Sequence, residues 1–226
     1  MTTAPVLVVD DHELVRTTLA FALNAQAIPT HQCTATTRKA ILDEAALLSP
    51  GLVLLDLDLG RDVHGGHLDG VDLIGELRAK GWNVLVVSGS GNREQLAAAI
   101  AAGAVGVVSK TTPFPTLHDT VIDATCGRPV MSEQDRQQWL ELDQRYKVAL
   151  QQWRRRMNRL TSREHAVLDR LAAGCRAAAI AEEFVVSLAT VRSQIRSILT
   201  KLEVSSQLEA VALLRTPGTE GSTQTR

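Results

Sequence analysis

Leu52-Val53-Leu54-Leu55 most restricts what this chain can fold into. Four unbroken apolar residues between Gly51 and Asp56 read as a strand buried on both faces, as at the centre of a parallel sheet. The strand delivers a carboxylate, Asp56, at its C-terminal end. In open α/β sheets that edge is where ligands bind. A lone strand-end carboxylate means little, so the reading turns on whether other strands bring partners to the same edge.

Residues 1–130 supply them. Strand-like runs at Pro5–Val9, His31–Thr34, Val84–Ser88 and Gly106–Ser109 join the central one. Between them lie helical patterns at Glu13–Ala25, Arg38–Leu48, Val71–Lys80 and Glu94–Ala102, with a closing helix at Leu117–Ala124. On the first helix Leu14, Leu19 and Leu23 form the apolar stripe. Five βα repeats with short connections predict an α/β fold with a doubly wound, five-stranded parallel sheet.

In such a sheet Asp10 and Asp11, Asp56, Ser88 and Lys110 all stand at strand ends on one side. Three carboxylates together repel one another unless a cation compensates. A hard divalent ion held by oxygen ligands is the natural partner, and Mg²⁺ combines few protein carboxylates with phosphate. A hydroxyl and an ammonium opposite suit the remaining oxygens of a phosphoryl group. The constellation predicts phosphate carried on Asp56, with the carboxylate as nucleophile.

These residues resemble the receiver domain of two-component response regulators. The resemblance rests on Val8-Val9-Asp10-Asp11, Leu54-Leu55-Asp56, Asp69-Gly70, Val87-Ser88-Gly89 and Ala104–Lys110. It implies a flavodoxin-like fold and phosphorylation of Asp56 by a sensor histidine kinase. It implies that Asp11 binds Mg²⁺ directly, that Asp10 assists, and that the Asp58 carbonyl contributes beside Asp56. Ser88 and Lys110 would hold the phosphate, with Gly89, in place of the usual Ala, leaving access open. Two departures stand out. Six extra residues separate Asp56 from Asp69-Gly70, predicting a glycine-rich solvated loop over 60–69 that carries His64 and His67. Val107 occupies the switch position, where the family commonly has an aromatic residue.

The remainder of the chain has a different character. Residues 1–130 hold nine Lys and Arg against fourteen Asp and Glu, a net of -5, whereas residues 154–215 hold eleven against six, a net of +5. An acidic first part and a basic last part predict a cation site in one and an anionic partner for the other. Between them Trp139, Leu142, Tyr146, Ala149 and Trp153 recur at heptad spacing along a polar helix over 131–158. This linker either packs on its own domains or forms a dimeric coiled coil.

From Leu160 the pattern is helical. Thr161–Glu164 and Ser206–Glu209 read as capping boxes. After the tight Val185-Val186 connection, Ser187 caps a helix whose Leu188, Val191, Ile195, Ile198 and Leu202 share one stripe. Arg192, Ser193 and Arg196 lie opposite. This is either a helix-turn-helix that enters the major groove of double-stranded DNA or an ordinary amphipathic helix with a solvated basic face.

Leu160–Glu164, Ile180-Ala181, Ser187, Thr190-Val191-Arg192, Ile198, Lys201-Leu202 and Val204 resemble the LuxR-type DNA-binding domain over 159–215. Together with the receiver, this is the pattern of the NarL/FixJ-type regulators. It implies Thr190, Arg192, Ser193 and Arg196 as DNA-facing residues and a homodimer formed through the last helix, Gln207–Leu214. Ala177-Ala178-Ala179, Gln194 and Gln207 depart from commoner polar or basic residues. The run Arg154, Arg155, Arg156 and Arg159 would then add DNA contacts or remain a solvated linker end.

The length, 45% hydrophobic residues and a mean hydropathy near zero fit a two-domain globular protein. No apolar run approaches a membrane span and no signal pattern opens the chain, so the cytoplasm is the expected location. Cys33, Cys126 and Cys175 form no CxxC pair and read as reduced packing residues. Residues 216–226 read as a disordered tail. The expected function is a DNA-binding transcriptional regulator, not an enzyme, controlled by phosphorylation. The alternatives are a phosphorylation-independent DNA-binding regulator, a Mg²⁺-dependent phosphohydrolase, and a module whose helical domain binds protein.

Overall fold

The computed structural model describes residues 4–61, 66–89 and 91–214. His64 and the tail at 216–226 lie outside the described residues. The chain divides into two compact units, Met1–Asp143 and Gln144–Arg226.

The strands of the first unit are β1 (Val6–Val9), β2 (Thr30–Gln32), β3 (Leu52–Leu55), β4 (Asp58–Arg61), β5 (His67–Asp69), β6 (Asn83–Ser88) and β7 (Gly106–Ser109). Five of them make one sheet in the order β2-β1-β3-β6-β7, every pair parallel. The order reverses beside β1 and β3, which places their C-terminal ends at the crevice. Both faces of the sheet are covered, which explains the unbroken apolar runs. Leu7, Val9, Val53, Leu55, Val84 and Val86 feed one core, shared with α2 (Arg38–Ala46), α3 (Val71–Ala79) and α4 (Arg93–Ala101). The alternate residues Val6, Val8, Leu52, Leu54, Leu85 and Val87 feed the other, shared with α1 (Glu13–Ala25) and α5 (Phe114–Thr125). The expected doubly wound sheet is the fold observed.

The structure corrects four local expectations. The segment 60–69 is not merely a solvated loop, because β4 and β5 form an antiparallel hairpin that buries Leu59 and Leu68 in the first core. Leu14 is 80% exposed, so the buried side of α1 rests on Leu19, Ala20 and Leu23. The closing helix starts at Phe114, three residues early, since Pro115 is accommodated in a first helical turn whose amides lack partners anyway. Cys33 is buried as expected, but Cys126 is exposed.

Helix α6 (Glu133–Met157) starts at Ser132, whose hydroxyl accepts the Asp135 amide and donates to the Asp135 carboxylate. All five heptad-spaced residues are half-buried. In the first unit Trp139 and Leu140 pack against the first core, and Arg136 donates to the carbonyls of Ala104 and Val105. In the second unit Trp153 packs on that unit's core and donates its indole N–H to the Leu213 carbonyl.

The second unit packs α7 (Ser162–Ala172), α8 (Ala177–Glu183), α9 (Leu188–Leu202) and α10 (Gln207–Ala212) around Val167, Leu168, Ile180, Val191, Ile198 and Leu202. Thr161 and Glu164 form the expected capping box. At α10 Ser206 accepts the Glu209 amide as expected, but the Glu209 carboxylate turns to the Ser205 amide and hydroxyl.

Glu164 ties this unit together. Its buried carboxylate accepts from the Thr161 amide, the Ser197 hydroxyl and the Lys201 ammonium. Burial works to raise its pKa, yet the Lys201 ammonium and the other donors outweigh it and hold the carboxyl at about 2. Depression below the ordinary 4.5 means that this group's stabilisation is fully present above that pH and is lost as pH falls towards 2. Glu164→Gln is expected to cost ~3 kcal/mol at neutral pH, because Lys201 loses its partner. Urea denaturation should show the difference narrowing between pH 4.5 and 2.

Candidate functional site

The strand-end residues converge as the topology requires. Asp10 follows β1, Asp56 follows β3 and Ser88 ends β6, all three buried. Lys110 follows β7 and donates its backbone amide to the Ser88 carbonyl. Its ammonium bridges the two buried carboxylates, 2.6 Å from Asp10 Oδ2 and 2.7 Å from Asp56 Oδ2. Gly89 is exposed beside the Lys110 stem, where an added Cβ would stand 3.5 Å from Cδ. Asp11 is the outward-facing carboxylate, its side chain 35% exposed.

Burial raises the Asp56 carboxyl above the ordinary carboxylate value; the Lys110 ammonium opposes that rise and the neighbouring Asp10 adds to it. Burial disfavours the Lys110 ammonium, but its bonds to Asp10 and Asp56 overcome this and raise its pKa. One ammonium thus serves two buried carboxylates, with a third at the rim. Ligand atoms of Asp10, Asp11, His12 and Asp56 all lie within 4.8 Å of one another, a compact, oxygen-rich set that fits a hard divalent cation.

Sequence reasoning missed three parts of this site. His12 turns back, its Nδ1 2.7 Å from Asp11 Oδ1 and its amide donating to Asp10 Oδ1. Arg16, one turn into α1, donates to the Asp10 carbonyl at 2.8 Å. The third is the hairpin. Gly60 has a φ of +72°, and an added Cβ there would stand 3.1 Å from Asp11 Oδ2. The hairpin lines one side of a cleft of about 310 Å³ that includes Asp10, Asp11, Arg16 and Arg61. The Asp-Asp-His run and the helical spacing to Arg16 were visible signals, whereas nothing local marked the hairpin.

Backbone packing ties the hairpin's end to the segment that follows β3. Gly70 donates its amide to the Leu57 carbonyl, and a Cβ at Gly70 would overlap the Asp56 carbonyl oxygen at 2.3 Å. Only glycine fits that approach. Asp58, where the cation's carbonyl ligand was expected, opens β4 and pairs with Asp69 across the hairpin. His67 is exposed, 4.0 Å from Asp58 Oδ1, and takes no part in the carboxylate cluster. Val107 is half-buried against the first core, on which Met131, Trp139 and Leu140 also pack.

In the second unit α9 presents Thr190, Arg192, Ser193 and Arg196 as exposed residues, while Val191, Ile195, Ile198 and Leu202 are buried. Leu188, expected in the buried stripe, is exposed at the first turn. Ser187 caps α9 by accepting the Thr190 amide, and its hydroxyl is also bonded to the Thr190 hydroxyl. The preceding turn carries Val185 at φ +53°, where Arg163 braces it by stacking 3.9 Å over the Phe184 ring and donating to the Phe184 carbonyl. The arginine run is partly spoken for: Arg156 and Arg159 pair with Glu203, at 3.5 and 2.5 Å.

Comparison with known proteins agrees with both halves of this picture. Residues 6–122 match the response regulator receiver domain, and residues 158–214 match the bacterial regulatory proteins of the luxR family. The chain is 30% identical over 214 residues to the transcriptional regulatory protein YdfI of Bacillus subtilis, covering 94% of this chain and 96% of that one. It is 30% identical to the transcriptional regulatory protein FixJ of Azorhizobium caulinodans, covering 92% and 90%. A solved structure of the RcsB response regulator from Salmonella typhimurium shares the fold at a TM-score of 0.50 and 22% identity, covering 95% and 98%. Among the described residues no helix is long and apolar enough to cross a membrane.

Proposed function

Since the chain is a NarL/FixJ-type response regulator, a receiver domain followed by a LuxR-type DNA-binding domain, we propose that phosphorylation of Asp56 by a sensor histidine kinase controls its binding to promoter DNA. The observation that carries this reading is the Lys110 ammonium shared between the buried Asp10 and Asp56 carboxylates.

Asp56 acts as the nucleophile. One carboxylate oxygen attacks phosphorus in line, an acyl–phosphate bond forms, and the donor leaves with the electron pair of the bond it gives up. Lys110 is already 2.7 Å from the reacting carboxylate, placed to accompany the negative charge that arrives with the phosphoryl group. Ser88, which ends β6, and Gly89 after it would hold the phosphate with Lys110. Asp11, Asp10, Asp56 and the Asp58 carbonyl would hold Mg²⁺, which when bound neutralises the carboxylates and the phosphoryl oxygens. The protein acts in the cytoplasm, and a pair of chains engages double-stranded DNA, each laying the exposed face of α9 in the major groove.

A second reading keeps the DNA binding and drops the switch. Val107 in place of the usual aromatic residue favours it. Incubation of the full chain with acetyl phosphate discriminates at the acceptor. Intact mass should show one phosphoryl group added with Mg²⁺ and none with EDTA, and Mg²⁺ alone should raise the melting temperature by relieving the carboxylate crowding. No addition under any condition would favour the second reading.

A further inference from the structure

The first turn of α4 touches both the end of the hairpin and helix α6. Asn92 caps α4 by accepting the amides of Glu94 and Gln95. From that turn Gln95 Nε2 donates to Asp69 Oδ1 at 3.2 Å, and Asp69 Oδ1 also accepts the Val71 amide at 2.9 Å. Two residues before Gln95, the Arg93 guanidinium stands 5.6 Å from the centroid of the Trp139 ring on α6. Asp69 is the residue paired with Asp58 across the hairpin, two positions after the acceptor.

We propose that the phosphorylation state of Asp56 is passed to α6 through this turn, by the Asp69–Gln95 hydrogen bond on one side and the Arg93–Trp139 contact on the other. The inference rests on the acceptor reading given above. Its physical basis is the lack of slack between the acceptor strand and the hairpin's end. The Gly70 amide is bonded to the Leu57 carbonyl at 2.8 Å, and Gly70 lies too close to the Asp56 carbonyl to admit a methyl group. A backbone displacement at 56–58 must therefore carry Asp69 with it, because packed interiors transmit movement instead of absorbing it. Asp69 holds α4 through Gln95, and α4 holds the indole through Arg93.

Val107, half-buried against the first core, has no polar atom and a short, stiff side chain. It cannot follow a hydrogen-bonding change at Ser88. Trp139 packs an indole against the same core from a different element, α6. Gln95, Arg93 and Trp139 are thus positioning residues for the switch. None of them touches the reacting atoms.

The test uses the full chain with beryllofluoride and Mg²⁺ as the phosphoryl mimic, and three readouts. ¹⁹F NMR reports whether the mimic is bound. The difference in fluorescence between wild type and Trp139→Phe reports the indole. Affinity for a duplex selected from a random pool reports the output. In wild type the mimic should bind, change the Trp139 emission and raise DNA affinity about fivefold or more, the ordinary range of coupling between sites. Gln95→Ala and Arg93→Ala should still bind the mimic with unchanged basal DNA affinity, but the gain should fall to less than about twofold. In Gln95→Ala the Trp139 response should vanish. A bound mimic with the full gain retained in both variants overturns the coupling and leaves the acceptor reading standing. An absent ¹⁹F signal in wild type overturns both.

Discussion

Asp56→Ala is expected to abolish phosphoryl incorporation from acetyl phosphate and to leave the fold intact. The first half follows from geometry, since Asp10 is held by Lys110 and by the His12 amide, while Asp11 stands at the rim. Neither is placed to take over as nucleophile at the end of β3. The second half follows from the sign of the pKa shift. Burial raises the Asp56 carboxyl, so at neutral pH its ionised form is disfavoured in the folded chain relative to the unfolded one. Removing it relieves repulsion with Asp10, and Lys110 keeps its bond to Asp10 at 2.6 Å. The melting temperature should be unchanged or higher, while intact mass shows no addition. Lys110→Ala should behave in the opposite sense: it strands two buried carboxylates and should cost about 3 kcal/mol of stability at neutral pH.

The second large effect lies in α9. Arg192→Ala and Arg196→Ala should each weaken binding to a selected duplex by about 10- to 100-fold, the ~1–3 kcal/mol of a good arginine–DNA contact. Both residues are exposed on the face opposite Val191, Ile195 and Ile198, so neither change touches the core. The double variant should bind only at the non-specific level, with a shallower dependence of affinity on salt because fewer phosphates are neutralised. Arg156→Ala should do much less, since its guanidinium faces Glu203. Fluorescence anisotropy across a salt series measures all four variants against wild type. Equal binding by the double variant and wild type would assign the DNA contact to another surface.

Much of the first unit was legible because its central strands β1, β3 and β6 are buried on both faces. Only continuous apolar runs survive there, and each ends abruptly in the polar residue that forms the site. The order of carboxylates, hydroxyl and ammonium along the chain was therefore enough to place them on one edge. The helix-turn-helix was legible for a related reason: three of its four helices begin at a Thr or Ser cap before an apolar stripe, as at Thr161, Ser187 and Ser206.

What escaped the sequence depends on contacts distant along the chain. Leu59 and Leu68 look like isolated apolar residues in a glycine-rich segment, and only the core beneath makes them a hairpin. Leu14 fits the helical period of α1 but falls in its first turn, outside the surface the sheet covers. Gln95 and Trp139 carry no motif. Their partners, Asp69 and Arg93, lie 26 residues away and on another helix. Local patterns report which side of an element is apolar, but not which neighbour arrives to cover it.

The central claim is that phosphate on Asp56 governs DNA binding by the paired protein. One sample of full chain, mixed with acetyl phosphate, Mg²⁺ and the selected duplex, allows phosphoryl occupancy, mass of the complex and DNA occupancy to be followed together in time. The account predicts that DNA occupancy and the mass of two chains per duplex rise with phosphoryl occupancy, and that neither rises in Asp56→Ala. Full DNA occupancy by paired chains before any phosphate is incorporated would contradict it.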